Sequence, residues 1–252
     1  MIDKWKLALR EFLKKYEDDD DVVGAILCGS YATNTQNEYS SIDVYLVLKE
    51  DANYSLRGNT DSNSYLIEYF MNTKEGILEC MEKEFNYNKQ STANMFSYGK
   101  IIYDLDGSVK ELQDKAVEYI DKPFNEITGN KLDKNDYHLW HYLHELKVCL
   151  KENNPQFNLI YYKLLNDVYD VYAEYQGLPK LPKTKIYKIL TDEEYRRKLH
   201  IFKLADDDFI KLYIRCFELD KPNTMYKNIE MLINYYYEKR GGFNIRTFEL
   251  RN

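Results

Sequence analysis

Hydrophobic positions change their period several times along the chain. Trp5, Ala8, Leu9, Phe12, Leu13 and Tyr16 fall on one helical face, and the acidic run Asp18, Asp19, Asp20, Asp21 closes it, which predicts an amphipathic helix at the start. Residues 22–28 are a short, nearly continuous apolar run ending at Gly29-Ser30, the pattern of a buried strand running into a turn. Residues 33–41 are polar and loop-like. From 42 to 48 the pattern alternates: Ile42, Val44, Leu46 and Leu48 take one face of a second strand, and Asp43, Tyr45 and Val47 the other. The polar stretch 49–63, with Gly58, reads as a turn or hairpin loop. A third strand follows over 65–71 with one acid, Glu68. Helical spacing covers 73–85 and 91–98, and 100–103 is a short strand stopped by Asp104-Leu105-Asp106-Gly107.

Beyond Gly107 the period is helical, with helices expected over 108–120, 132–151, 158–175, 184–199, 206–218 and 223–239. Gly177, Pro179 and Pro182 mark the clearest break. The pattern implies an α/β domain over 1–107 and a helical domain over 108–252, joined through the helix at 108–120 and the loop 121–131. The sequence shows no repeat period and no low-complexity segment.

Composition narrows the function classes. With 44% hydrophobic and 31% charged residues the chain is that of a soluble globular protein. It has no run near the ~20 apolar residues that span a bilayer and no signal-peptide stretch after Met1, so a cytoplasmic location and no membrane partner are expected. The formal charge of −7 and the lack of a long basic block argue against nucleic acid as a partner; an acidic cleft favours metal ions and cationic substrates. Cys28, Cys80, Cys149 and Cys216 lack paired spacing, which fits reduced, mostly buried thiols. The 25 tyrosines sit mainly at helical spacing among leucines, as in amphipathic packing with wet hydroxyls.

Candidate chemistry collects in the first domain. A Gly29-Ser30 turn at a strand end lets backbone amides approach an anion, although structural turns of this kind are common. Glu68, inside Tyr65-Leu66-Ile67-Glu68-Tyr69-Phe70, is expensive if buried unpaired, and either holds a metal, pairs with a lysine or lies on an exposed face. If the strands of Asp43 and Glu68 are neighbours, the two carboxylates pair at the mouth of the turn, a seat for Mg²⁺ on a nucleoside triphosphate.

These residues resemble the nucleotidyltransferase superfamily, which includes kanamycin and lincosamide nucleotidyltransferases and the minimal nucleotidyltransferases of bacterial toxin-antitoxin pairs. The resemblance rests on Cys28-Gly29-Ser30, a ten-residue spacer, Ser41-Ile42-Asp43-Val44 in the Asp-apolar-Asp-apolar positions, and Glu68 as the later acid. It extends through 65–85 and Ser97-Tyr98-Gly99-Lys100-Ile101-Ile102-Tyr103-Asp104, covering about residues 22–106. It implies an α+β protein whose nucleotidyltransferase domain has a mixed sheet. It also implies one or two Mg²⁺ ions, and ATP or another nucleoside triphosphate as substrate. Gly29, Ser30 and Ser41 fall at the nucleotide, Asp43 and Glu68 at the metal and the chemistry. Ser41 stands where the family has its first carboxylate. A natural loss of activity, an engineered substitution, or a shifted site using Glu38 or Asp51 would each account for it.

In the helical half, His138, His141 and His144 precede Glu145. The window is either an amphipathic helix with polar histidines or a zinc seat. By resemblance to kanamycin-type members, Glu145, with Lys147 close by, is the candidate general base for an acceptor hydroxyl; a solvent-facing glutamate is the other reading. Lys180, Lys183, Lys185 and Lys188 form either a solvated basic face or a phosphate contact. The expected activity is transfer of a nucleoside monophosphate, AMP first, to a hydroxyl of an aminoglycoside-like small molecule or of a protein. The alternative is an inactive binding or interaction protein that keeps the fold.

Overall fold

The computed structural model describes residues 3–125 and 127–250. The chain divides into two compact units, Met1–Lys122 with Arg197–Ile201, and Pro123–Arg196 with Phe202–Asn252. The protein is α+β, with its sheet in the N-terminal part and helices after it.

The first unit is built on β1 (Val22–Cys28), β2 (Ile42–Leu48), β3 (Leu56–Ser62), β4 (Tyr65–Thr73) and β5 (Lys100–Asp104). They form one sheet in the order β3-β4-β2-β1-β5. The β2–β4 pair is parallel and the other three are antiparallel, so the sheet is mixed. Helices cover both faces. Ala25, Leu27, Val44, Leu46 and Ile67 pack with Ala8 and Phe12 of α1 (Lys4–Leu13) and Tyr31 of α2 (Gly29–Thr33). On the other face, Ile26, Cys28, Tyr45 and Val47 pack with Ile77 of α3 (Lys74–Phe85), Phe96 of α4 (Ser91–Ser97) and Leu112 of α5 (Ser108–Asp121). Double coverage is why β1 reads as an almost unbroken apolar run.

Within the first unit the structure departs from the sequence pattern at β3, where a loop is expected. Apart from Leu56, its residues, Arg57-Gly58-Asn59-Thr60-Asp61-Ser62, carry no large apolar side chain, and the strand is largely exposed, as suits an edge strand guarded against further pairing. It joins β4 through Asn63 and Ser64, both left-handed at φ 47° and 67°, the backbone of a two-residue hairpin turn that matches strand twist. The unit also extends past the change of period at Gly107, because Val109, Leu112 and Ala116 of α5 belong to the core beneath the sheet. Gln113 ties α5 to the end of α4 by donating to the carbonyls of Phe96 (3.1 Å) and Gly99 (3.0 Å).

The remaining helices are α6 (Asn130–Lys151), α7 (Phe157–Tyr175), α8 (Ile186–Thr191), α9 (Glu193–Lys198), α10 (Asp207–Arg215) and α11 (Pro222–Lys239). The single helix expected over 184–199 is split. Asp192 is extended and its carboxylate accepts from the amide of Tyr195 at 2.9 Å, so it stops α8 and caps α9. The tyrosines are also less wet than their spacing implies. Tyr161, Tyr169, Tyr172, Tyr213 and Tyr236 are fully buried, and Tyr161 donates to the carbonyl of Cys216 (2.7 Å), Tyr236 to Asp136 (2.6 Å) and Tyr172 to Asp206. In these three, burial of the ring is matched by an internal acceptor for the hydroxyl.

Candidate functional site

The first unit brings the Gly29-Ser30 turn, Asp43 and Glu68 together. β2 and β4 run parallel in register, pairing Ile42 with Ile67, Asp43 with Glu68 and Val44 with Tyr69. Ile42, Val44 and Ile67 lie in one core, while Tyr45 and Phe70 lie in the other. Side chains alternate along a strand, so Asp43 and Glu68 project side by side from the face that carries Tyr45 and Phe70. On the other side of β2, Asp43 pairs with Cys28, the last residue of β1. Gly29 follows in the left-handed region, at φ 61°, and a β-carbon on it would lie 1.9 Å from Asp43 Oδ2. Only glycine suits both the dihedral and the approach of the carboxylate. The carboxylate in turn acts on Cys28: burial first, and the Asp43 charge second, push that thiol well above its ordinary range. Cys28 packs in the core with Ile26, Tyr45 and Phe96.

Gly29, Ser30, Ser41, Asp43 and Glu68 are all half-buried, neither sealed in the core nor stranded in solvent. Ser41 precedes β2 by one residue, and its hydroxyl donates to Asp43 Oδ1 at 3.3 Å. At the position where a carboxylate would add charge, the chain supplies a neutral donor that steadies Asp43. Neither candidate substitute fills the gap. Glu38 is exposed in a turn where Ser40 and Asn37 bond each other, the Asn37 amide donating to Ser40 Oγ at 2.9 Å. Asp51 lies beyond the opposite end of β2, roughly 20 Å along the strand, beside Lys49 at 3.9 Å.

Glu68 has a partner that sequence reasoning missed. Arg57 on β3 forms an ion pair with Glu68 Oε1, and its guanidinium lies over the Phe70 ring, 4.9 Å from the centroid. The β3–β4 register sets this up: Asn59 opposes Glu68 and Arg57 opposes Phe70, so Arg57 is the diagonal neighbour of Glu68 on the same face. The available signal was period two across a hairpin centred on Asn63-Ser64, hidden because the first strand is polar.

The donor set fits one divalent ion and does not fit a pair. Mg²⁺ is commonly held by one or two carboxylates with substrate phosphates, which Asp43 and Glu68 can supply once Glu68 is free of Arg57. Among the described residues, no group of three or more His, Cys, Asp or Glu side chains could hold a metal ion.

The candidates of the second unit have local roles. His138 Nε2 meets Asp167 Oδ2 at 2.8 Å, while the rings of His141 and His144 stack on Tyr137 and Trp140, so the three histidines do not converge on one ion. Burial alone would raise the Asp167 carboxyl, but hydrogen bonds from His138 and Lys163 hold it below its ordinary range. Lys180 donates to Glu174 (2.5 Å), Lys183 pairs with Asp170, and Lys188 lies over the Tyr195 ring; these three cations are matched within the unit. Lys185 sits at the start of α8 and its amide donates to the Pro182 carbonyl at 2.9 Å. Glu145 is half-buried on α6. It belongs to the second unit, so no geometry within the first supports the base role that the resemblance gives it.

No helix among the described residues is long and apolar enough to cross a membrane. Comparison with curated proteins finds no match. A crystal structure of a nucleotidyltransferase-like protein from Exiguobacterium sibiricum 255-15 aligns with a TM-score of 0.46 and 11% identity, over 94% of this chain and 77% of that one. Residues 8–98, which hold Gly29, Ser30, Ser41, Asp43 and Glu68, match the family model for the nucleotidyltransferase domain. Over this N-terminal part the chain is similar to a nucleotidyltransferase domain.

Proposed function

We propose that the first unit binds a nucleoside triphosphate, ATP first, through its phosphates at the Gly29-Ser30 turn, with one Mg²⁺ shared by Asp43 and Glu68, and that nucleotidyl transfer is impaired. The observation that carries this reading is the bond from Ser41 to Asp43 Oδ1, 3.3 Å. A hydroxyl stands at the position of the first carboxylate, without the charge that a second ion needs. A bound Mg²⁺ would neutralise phosphate charge and polarise the phosphorus. The residues of the chain do the rest. Gly29 keeps the turn open beside Asp43, Ser30 presents its amide and hydroxyl at the start of α2, and Ser41 fixes the rotamer of Asp43.

Transfer of AMP to a hydroxyl of a cationic, aminoglycoside-like molecule, or of a protein, is the second reading. The net charge of −7 favours a cationic acceptor. Calorimetric titration with ATP and Mg²⁺, together with transfer of label from α-³²P-ATP to candidate acceptors, separates the two. Saturable binding that is lost in Asp43→Asn, with no label transferred, supports the binding reading. Turnover by the unaltered chain would establish the transferase, and failure of any nucleoside triphosphate to bind would remove both.

A further inference from the structure

The Arg57–Glu68 pair places a fixed cation on the carboxylate that a divalent ion would use. Glu68 is the more sequestered partner, its side chain 25% exposed against 69% for Arg57. The guanidinium is held on two sides, by the carboxylate and by the Phe70 ring at 4.9 Å. Glu68 is in turn the in-register neighbour of Asp43. A guanidinium seated on Oε1 takes up lone pairs that a metal requires, and a divalent cation arriving between Asp43 and Glu68 would meet a like charge. Arg57 lies on an edge strand with exposed neighbours, so its side chain is free to swing outward without disturbing the core.

We propose that Arg57 is a latch on Glu68: guanidinium and divalent ion compete for the same carboxylate, so the metal affinity of the site is set by a positioning residue on the edge strand. The proposal rests on the reading of Asp43 and Glu68 as the metal seat, and goes beyond it by naming what controls access. With the latch closed, Asp43 alone faces an incoming ion. When triphosphate oxygens attract the guanidinium away, Glu68 is released and both carboxylates become available. Arg57 thereby couples nucleotide and metal binding, each favouring the other.

The test is a titration of the full chain with Mn²⁺ alone, followed by electron paramagnetic resonance of the free ion, for the unaltered protein and for Arg57→Gln, Arg57→Lys, Glu68→Gln and the double variant Arg57→Gln/Glu68→Gln. Arg57 is exposed, so circular dichroism should show its variants folded. Arg57→Gln is expected to tighten Mn²⁺ about fivefold, the upper end for releasing an exposed ion pair. Arg57→Lys should fall between the two, and the Arg57→Gln gain should vanish in the Glu68→Gln background. Unchanged affinity in Arg57→Gln, an equal gain with and without Glu68, or no Mn²⁺ binding by any variant would each overturn the latch. Binding of ATP by the unaltered chain in excess chelator is measured alongside. A chain that binds ATP while Arg57→Gln leaves Mn²⁺ affinity unchanged retains its nucleotide site and loses the latch; a gain in Mn²⁺ affinity without any ATP binding does the reverse.

Discussion

Gly29 and Asp43 are in direct contact: a β-carbon on the glycine would sit 1.9 Å from Oδ2 of the carboxylate. The turn at the end of β1 and the acid at the start of β2 are thus one device. Gly29→Ala should push the Asp43 side chain off its position and force alanine into φ 61°, at a cost of about 1–3 kcal/mol. Thermal denaturation reads the loss of stability. Calorimetry should show nucleotide affinity falling further than in Ser30→Ala, where backbone and carboxylate stay in place.

Ser41→Asp should raise Mg²⁺ affinity by roughly tenfold, because ligand charge count tunes affinity at oxygen-ligand sites, and should increase transfer of label from α-³²P-ATP. It replaces the donor that now steadies Asp43 with a second negative charge, so the variant should melt below the unaltered chain in chelator and recover when Mg²⁺ is added. Identical melting in the two conditions, with unchanged turnover, would count against the impaired-site reading.

Acid stability of the second unit should depend on Glu174. Burial would raise this carboxyl, but hydrogen bonds from Lys180 and Asn135, with the charges of Lys180 and Lys131, bring it below its ordinary 4.5. A depressed carboxyl contributes stability above its unfolded value and loses it as pH falls through the folded one. The advantage of the unaltered chain over Glu174→Gln is therefore expected to be complete near neutrality, to begin shrinking near pH 4.5, and to vanish at lower pH. At neutral pH, stranding the half-buried Lys180 should cost about 3 kcal/mol, measured by urea unfolding across the pH range.

Tyr236→Phe should destabilise the helical unit by about 1.5–3 kcal/mol, the range for a hydrogen bond to a charged group. Its hydroxyl donates to Asp136 at 2.6 Å, and Asp136 is completely buried. Arg240, which pairs with Asp136 and lies 3.6 Å from Asp133, keeps that carboxylate from being left without a cation. Chemical denaturation of the variant with an unchanged m-value would show that stability, and not compactness, has moved.

Strands β1 and β2 were legible because they are inner strands of the sheet: apolar runs with Asp43 as the single break in β2 leave little choice of period or end. Strand β3 was not, because an edge strand gains its place from hydrogen bonds to β4 and carries residues chosen against further pairing. The split between α8 and α9 has no sequence signal, because Asp192 resembles any polar helical position and only the fold directs its carboxylate to the Tyr195 amide. The tyrosine hydroxyls are opaque to sequence for a related reason, since spacing shows which face is apolar and not whether an acceptor such as Asp136 or the Cys216 carbonyl waits inside.

The α+β order of elements, the Gly29-Ser30 turn, the alternation that puts Asp43 and Glu68 on faces of their strands, and the missing charge at Ser41 can all be read along the chain. These arise from local sterics and from side-chain period, which a chain carries along its length. Tertiary structure alone decided that β4 lies beside β2 in register, so that the two acids share one face, and that a guanidinium eleven positions before Glu68 closes on it. Register and diagonal pairing are set by which strands become neighbours, through a balance of core burial and hydrogen bonding across the whole sheet that no single segment encodes.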